Sequence, residues 1–164
     1  MKQKFQLKSM PMLIAIIMVL LSSELFAQEN IDYSQLQDKE WVLQLPEGVE
    51  GCFVSKKFTP DTCLTIAKHS GIGIEFNSIY YLSKDWDGMF DDKKVGLGGT
   101  GKYLVDKRKA EPRKLVLVDV YLIMKLTKTD LVLKYVENIE LTMKGKLIKR
   151  EEMNSIMRYK NKQE

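Results

Sequence analysis

One histidine, two cysteines and no sizeable excess of either charge set the first limits on this 164-residue chain. With His69 as the sole imidazole, a zinc site built on several histidines is excluded, and a Ser/His/Asp triad would have to be built on that one residue. Beside Lys68, Ser70 and Gly71 it reads as a surface histidine at a strand end. Cys52 and Cys63 lack metal-ligand spacing, and neither stands near a helix start that would lower its pKa. A formal net charge of +4 is too weak to imply a nucleic-acid partner. The carboxylates are scattered without a visible acid-base pair, so the chain reads as non-enzymatic and without a cofactor.

Long apolar runs are also scarce. Met10 to Leu21 spans 12 residues, against the ~20 a membrane-crossing helix needs. Lys2, Lys4 and Lys8 precede it and Ser22-Ser23-Glu24-Leu25-Phe26-Ala27 follow, the order of an export signal removed after Ala27. No cysteine adjoins that point to carry a lipid, and no later segment is long enough to span a membrane. The expected product is a soluble protein of the periplasm or exterior. Its remaining 137 residues suit one domain, residues 28–150, with a charged tail from 151 to 164 that forms a short helix or frays.

An exported cysteine pair invites a disulfide. A hairpin turn at Thr59-Pro60-Asp61-Thr62 would set Cys63 opposite Phe58 and Cys52 opposite His69. The sulfurs would then lie several residues apart at ~3.3 Å each, beyond the ~7 Å between Cα atoms that a bridge tolerates. Two free thiols are favoured, and a bridge remains the alternative if residues 52–56 fold back.

The rest of the chain has an all-β rhythm of short β-branched and aromatic runs broken by turns. Trp41 to Leu45, Phe53 to Phe58, Thr62 to Lys68, Gly73 to Ser83, Lys102 to Val105, Lys114 to Thr127, Leu131 to Val136 and Ile139 to Ile148 make about eight antiparallel strands. Eight suit a closed barrel that side chains fill or that holds one small ligand; a β-sandwich is the alternative. Residues 84–101 hold five of the ten glycines and should form an irregular loop at one end.

Several motifs in these segments resemble the lipocalin-like domains of small exported bacterial proteins. They are Trp41 in the first strand, Phe58-Thr59-Pro60-Asp61, Gly73 to Leu82 with Tyr80-Tyr81-Leu82, Phe90-Asp91 before Lys94-Val95-Gly96, Gly101 to Val105, and Leu126 to Leu133. Lipocalins carry Gly-x-Trp at the barrel base with a basic residue packed over the Trp. Here Lys39 replaces the glycine, and Arg150 or Lys149 stands where the basic residue is expected. The resemblance implies binding of small apolar molecules.

Three other motifs have plainer readings. Gly96 to Gly101 matches Gly-x-Gly-x-x-Gly, but a strand follows it where a dinucleotide fold needs a helix. Asp85, Asp87, Asp91 and Asp92 gather as in a calcium loop, yet Met89 and Phe90 occupy positions that need an oxygen ligand and a glycine. Lys107-Arg108-Lys109 with Arg113-Lys114 reads as a solvated hairpin loop diluted by Asp106 and Glu111. For a ligand inside the barrel, the expected lining is Phe76, Tyr80, Tyr103, Val116, Val118, Val120 and Leu122. The competing expectation is a filled barrel that presents residues 84–101 to a protein or cell-envelope partner.

Overall fold

The structure, a computed structural model, describes residues 31–162. The expected export signal, residues 1–27, lies outside the described residues. Eight antiparallel strands close into a barrel in simple up-and-down order. They are β1 (Glu40–Leu43), β2 (Cys52–Phe58), β3 (Thr62–His69), β4 (Ile72–Ser83), β5 (Tyr103–Ala110), β6 (Leu115–Leu126), β7 (Asp130–Thr142) and β8 (Leu147–Asn161). The barrel expectation therefore holds and the sandwich does not. Among the described residues no helix is long and apolar enough to cross a membrane.

The turns follow from local chemistry. Thr59 N–H donates to the Thr62 carbonyl at 2.8 Å while the Thr59 hydroxyl accepts from Thr62 N–H at 3.1 Å, which closes the β2–β3 hairpin around Pro60-Asp61. Thr127 repeats the device, its backbone N–H donating to Asp130 O at 2.8 Å and its hydroxyl accepting from Asp130 N–H at 2.9 Å. The β2–β3 hairpin fixes the register predicted for the cysteines, Phe58 opposite Cys63 and Cys52 opposite His69. Both thiols are free.

The last two strands differ from expectation. Glu137-Asn138 reads as a turn in sequence, but the chain runs through it in register with β6, just after a β-bulge at Val136, and residues 130–142 form one strand. The polarity has a structural use: Asn138 Nδ2 donates to Asp119 Oδ1 inside the barrel at 2.7 Å, and Glu137 Oε2 accepts from Trp86 Nε1 on the outside at 2.6 Å. The segment from Glu151, expected as a tail, is instead the greater part of β8. It closes the barrel by pairing Leu43 with Tyr159. Its charges escape an amphipathic reading because both faces of its upper half are wet.

The segment before β1 is structured too. A short 3-10 turn, Tyr33–Gln35, is capped by Asp32 and plugs the base with Ile31, Tyr33 and Leu36, all buried. These pack with Trp41, Phe58, Tyr80, Leu104, Tyr121, Ile123 and Leu133 into the main core. Tyr33 stacks on Tyr80 with ring centroids 5.1 Å apart.

Backbone bonds from Gly101 N–H to Ile31 O and from Tyr33 N–H to Gly99 O tie the plug to the end of the long loop. At Gly101 an added Cβ would stand 2.4 Å from the Ser83 carbonyl carbon and oxygen. The obstacle is backbone, which cannot rotate away. Gly101→Ala is expected to destabilise the fold by about 2 kcal/mol or more. A thermal melt followed by circular dichroism reads this, and an unchanged midpoint would refute the close approach.

Candidate ligand site at the open end of the barrel

The barrel interior is layered. Above the apolar base lies a ring of charge: Lys56 on β2, Asp106 on β5 and Asp119 on β6, all buried, with the half-buried Arg108 on β5. Asp106 and Asp119 are directly opposite one another across the β5–β6 ladder. Like charges so placed repel, and each needs its own cation. Lys56 Nζ stands 3.7 Å from Asp106 Oδ2 and donates to Thr65 Oγ1 at 3.2 Å. Ser78 Oγ donates to the same Asp106 oxygen at 3.0 Å. Arg108 pairs with Asp119, which also accepts from the Tyr135 hydroxyl and Asn138. Asp106 Oδ1 is the one buried side-chain oxygen or nitrogen among the described residues with no hydrogen-bond partner.

Burial pushes the Asp106 carboxyl above its ordinary range, more than the Lys56 cation pulls it down. Burial alone would lower the Lys56 ammonium, but the surrounding acidic groups hold it in its charged form. Two carboxylates do meet inside the barrel, yet Phe76 and Arg108 lie over them, the guanidinium 4.8 Å from the ring centroid. Asp106 is 1% exposed. A substrate would have to displace this pair to reach either acid.

The wall opens above that ring. β4 and β5 pair only from Ile79 to Ser83, and β1 is so short that β2 and β8 share it only near the base. Continuing the alternation upward from Lys56, Thr65 and Ser78 places Cys52 and Val54, Ala67 and His69, and Ile72 and Ile74 on the inner face. Together with Lys68 they line a pocket of about 400 Å³ at the mouth. Ile72 is 78% and Ile74 63% exposed, large values for inner-face isoleucines. The facing wall is polar: the register puts Glu140 opposite Lys149 and Asn138 opposite Glu151, and Lys149 Nζ bonds Glu151 Oε1 at 2.7 Å. Cys52 Sγ lies 2.8 Å from His69 Nδ1 at the rim.

Of the residues expected to line the interior, Phe76 and Tyr80 do so. Tyr80 is sealed in the base and donates to Thr59 O at 2.7 Å, while Phe76 floors the mouth. Tyr103, Val116, Val118, Val120 and Leu122 face outward. The expectation took the more apolar face of β6 as the inner one, whereas Asp119, Tyr121 and Ile123 point inward. A one-residue shift of register exchanges the faces, and what decides here is the loop 84–101. It folds back over the outer wall and covers Tyr81, Val105, Val118, Val120 and Ile139 with Trp86, Phe90 and Val95. A second apolar groove of about 490 Å³ remains beside it, lined by Met89, Phe90, Val116, Leu141, Met143 and Leu147 among others.

The other motifs are absorbed by local structure. Asp87 and Asp91 accept from the backbone N–H groups of Met89 and Lys93, and Asp92 pairs with Lys107. Alternation splits the basic cluster, sending Arg108 inside. Gly96 to Gly101 leads into the bridge between Thr100 and Asp32.

At the base, Trp41 is fully buried and its Nε1 donates to Leu36 O at 3.1 Å. The cation over its ring is Lys39, 5.4 Å from the centroid. Arg150 is on the outer face, donating to Gly88 O at 2.6 Å and 3.4 Å from Glu137. Lys39, two residues before Trp41, thus supplies the cation at this ring, and Arg150 does not. No family model, no curated protein and no solved structure matches the chain.

Proposed function

We propose that this chain is an exported, non-enzymatic binding protein of lipocalin-like type that holds a small apolar or amphipathic molecule in the open end of its barrel. The observation that carries the reading is the exposed apolar inner wall of Cys52, Val54, Ala67, Ile72 and Ile74 around about 400 Å³. That volume lies in the range of small-molecule sites. Exposure of Ile72 and Ile74 costs stability in the free protein, and an apolar guest removes that cost. The Arg108 guanidinium beneath and the Lys149–Glu151 wall opposite suit a polar head on the same guest.

The test is binding of decan-1-ol and decanoate, followed by native mass spectrometry or calorimetry. Ile74→Glu places a charge on the wall at a site exposed enough to leave the fold intact. It is expected to weaken binding at least about tenfold, or ~1.4 kcal/mol. Equal binding by both proteins, or none by either, would sink the proposal. A second reading has its own support: Met89, 73% exposed, and Met143, 45% exposed, flank the outer groove, which suits a partner docking on the loop 84–101. Met89→Glu distinguishes the two readings, since it leaves alcohol binding untouched if the mouth is the site.

A further inference from the structure

The rim of the mouth holds a pair of groups that simple binding does not require. Cys52 and His69 are cross-strand partners on β2 and β3, with Sγ and Nδ1 2.8 Å apart. The β3–β4 turn that follows His69 is held to the residue before β2 by the Ser70 N–H bond to Gly51 O at 3.0 Å. The pair is therefore set by register and turn together. Both side chains border the apolar pocket with Val54, Ala67, Ile72 and Ile74.

We infer that Cys52 and His69 form a nucleophile and base that attach an apolar α,β-unsaturated carbonyl compound covalently in the mouth. The inference rests on the binding reading above, because the pocket must first seat the alkyl chain. A thiol within hydrogen-bond reach of an unprotonated imidazole nitrogen transfers its proton as it attacks. The Cys52 sulfur bonds to the β-carbon, the alkene π pair moves to the enolate, and the proton held at His69 Nδ1 passes to the α-carbon. Nothing leaves, and no external oxidant or reductant takes part. The geometry is less suited to a metal, since a sulfur and a nitrogen 2.8 Å apart are too close to flank an ion at bonds of ~2.0–2.3 Å without moving.

Cys63 is a control within the molecule. It is fully buried beneath Thr65 and Ser78, and burial pushes its thiol up to about 11.

The test compares pentyl vinyl ketone with methyl vinyl ketone, using intact mass and peptide mapping, with glutathione as the reference thiol. Expected is a single adduct on Cys52 and a preference for the longer ketone beyond that shown by glutathione. A further expectation is a rate drop of about tenfold or more in His69→Gln. Adducts at Cys63, or a Cys52 rate that tracks glutathione and ignores His69→Gln, would overturn the inference. Decan-1-ol binding by the wild-type protein, measured alongside the ketone kinetics, separates the two proposals. If the alcohol binds but the kinetics are those of glutathione, the pocket stands and the pair fails; if neither is seen, both fall.

Discussion

Lys56→Met is expected to destabilise the folded barrel by about 3–5 kcal/mol near neutral pH, because it leaves a buried carboxylate without its cation. Lys56 and Asp106 have side chains only 7% and 1% exposed, so water cannot take the place of the missing ammonium. The effect should depend on pH in a definite direction. Asp106 has a folded-state pKa above its unfolded value. A group so shifted favours the folded state below the unfolded pKa, near 3.8, and loses that contribution as pH rises through the folded value. Removing Lys56 raises the folded value further and widens this window. The penalty of Lys56→Met should therefore be small at about pH 4 and grow toward neutrality. Urea unfolding of wild type and variant across that range measures it. A penalty that is flat with pH would mean that packing of the lysine stem, not charge, is what the substitution removes. The double variant Lys56→Met with Asp106→Leu should recover much of the loss, since replacing both members of a buried pair avoids the orphaned charge.

The same ring of charge explains why the site was less legible in sequence than the fold. Alternation in β2, β3 and β4 is regular, and the turn at Thr59 to Thr62 fixes its phase, so the facing of Phe58, Cys63, Cys52 and His69 follows from spacing alone. β6 offered two candidate faces. The one with Val116, Val118 and Val120 is the more apolar, and hydrophobicity selects it as the interior. In the fold that face is covered by Trp86, Phe90 and Val95, while the interior accepts Asp119 because Arg108, Tyr135 and Asn138 arrive from β5 and β7 to meet it. Such pairing is long-range and leaves no local trace. One signal was present: Asp119 interrupts an otherwise apolar run and Asp106 ends one, and a carboxylate recurring on one face of adjacent strands suggests a shared polar core. The strand number was legible for a weaker reason. Two polar residues beside a bulge imitate a turn and divide β7 in two, while the charged residues of β8 imitate a tail, and the two errors cancel in the total.

The second large effect belongs to the base. Trp41→Ala should cost about 3–5 kcal/mol, the range for emptying a fully buried aromatic site. The cavity would open between β1 and the 3-10 plug, against Leu36 and the other core residues. The Leu36 carbonyl would lose the indole N–H that now bonds it at 3.1 Å. Because this bond links β1 to the segment that closes the barrel, amide exchange at Tyr33 and Leu36 should quicken more than exchange at the centre of β6. Trp41→Phe should recover part of the packing but not the bond. Lys39→Ala removes a cation over the ring and should cost no more than about 1 kcal/mol. Arg150→Ala, expected from sequence to act at this same base, should leave it unperturbed. Its guanidinium is 44% exposed and tied to Gly88 and Glu137, so the change should instead loosen the 84–101 loop at a cost under about 1 kcal/mol. If Arg150→Ala alters exchange at Leu36 as much as Lys39→Ala does, the assignment of Lys39 as the cation of the tryptophan is wrong.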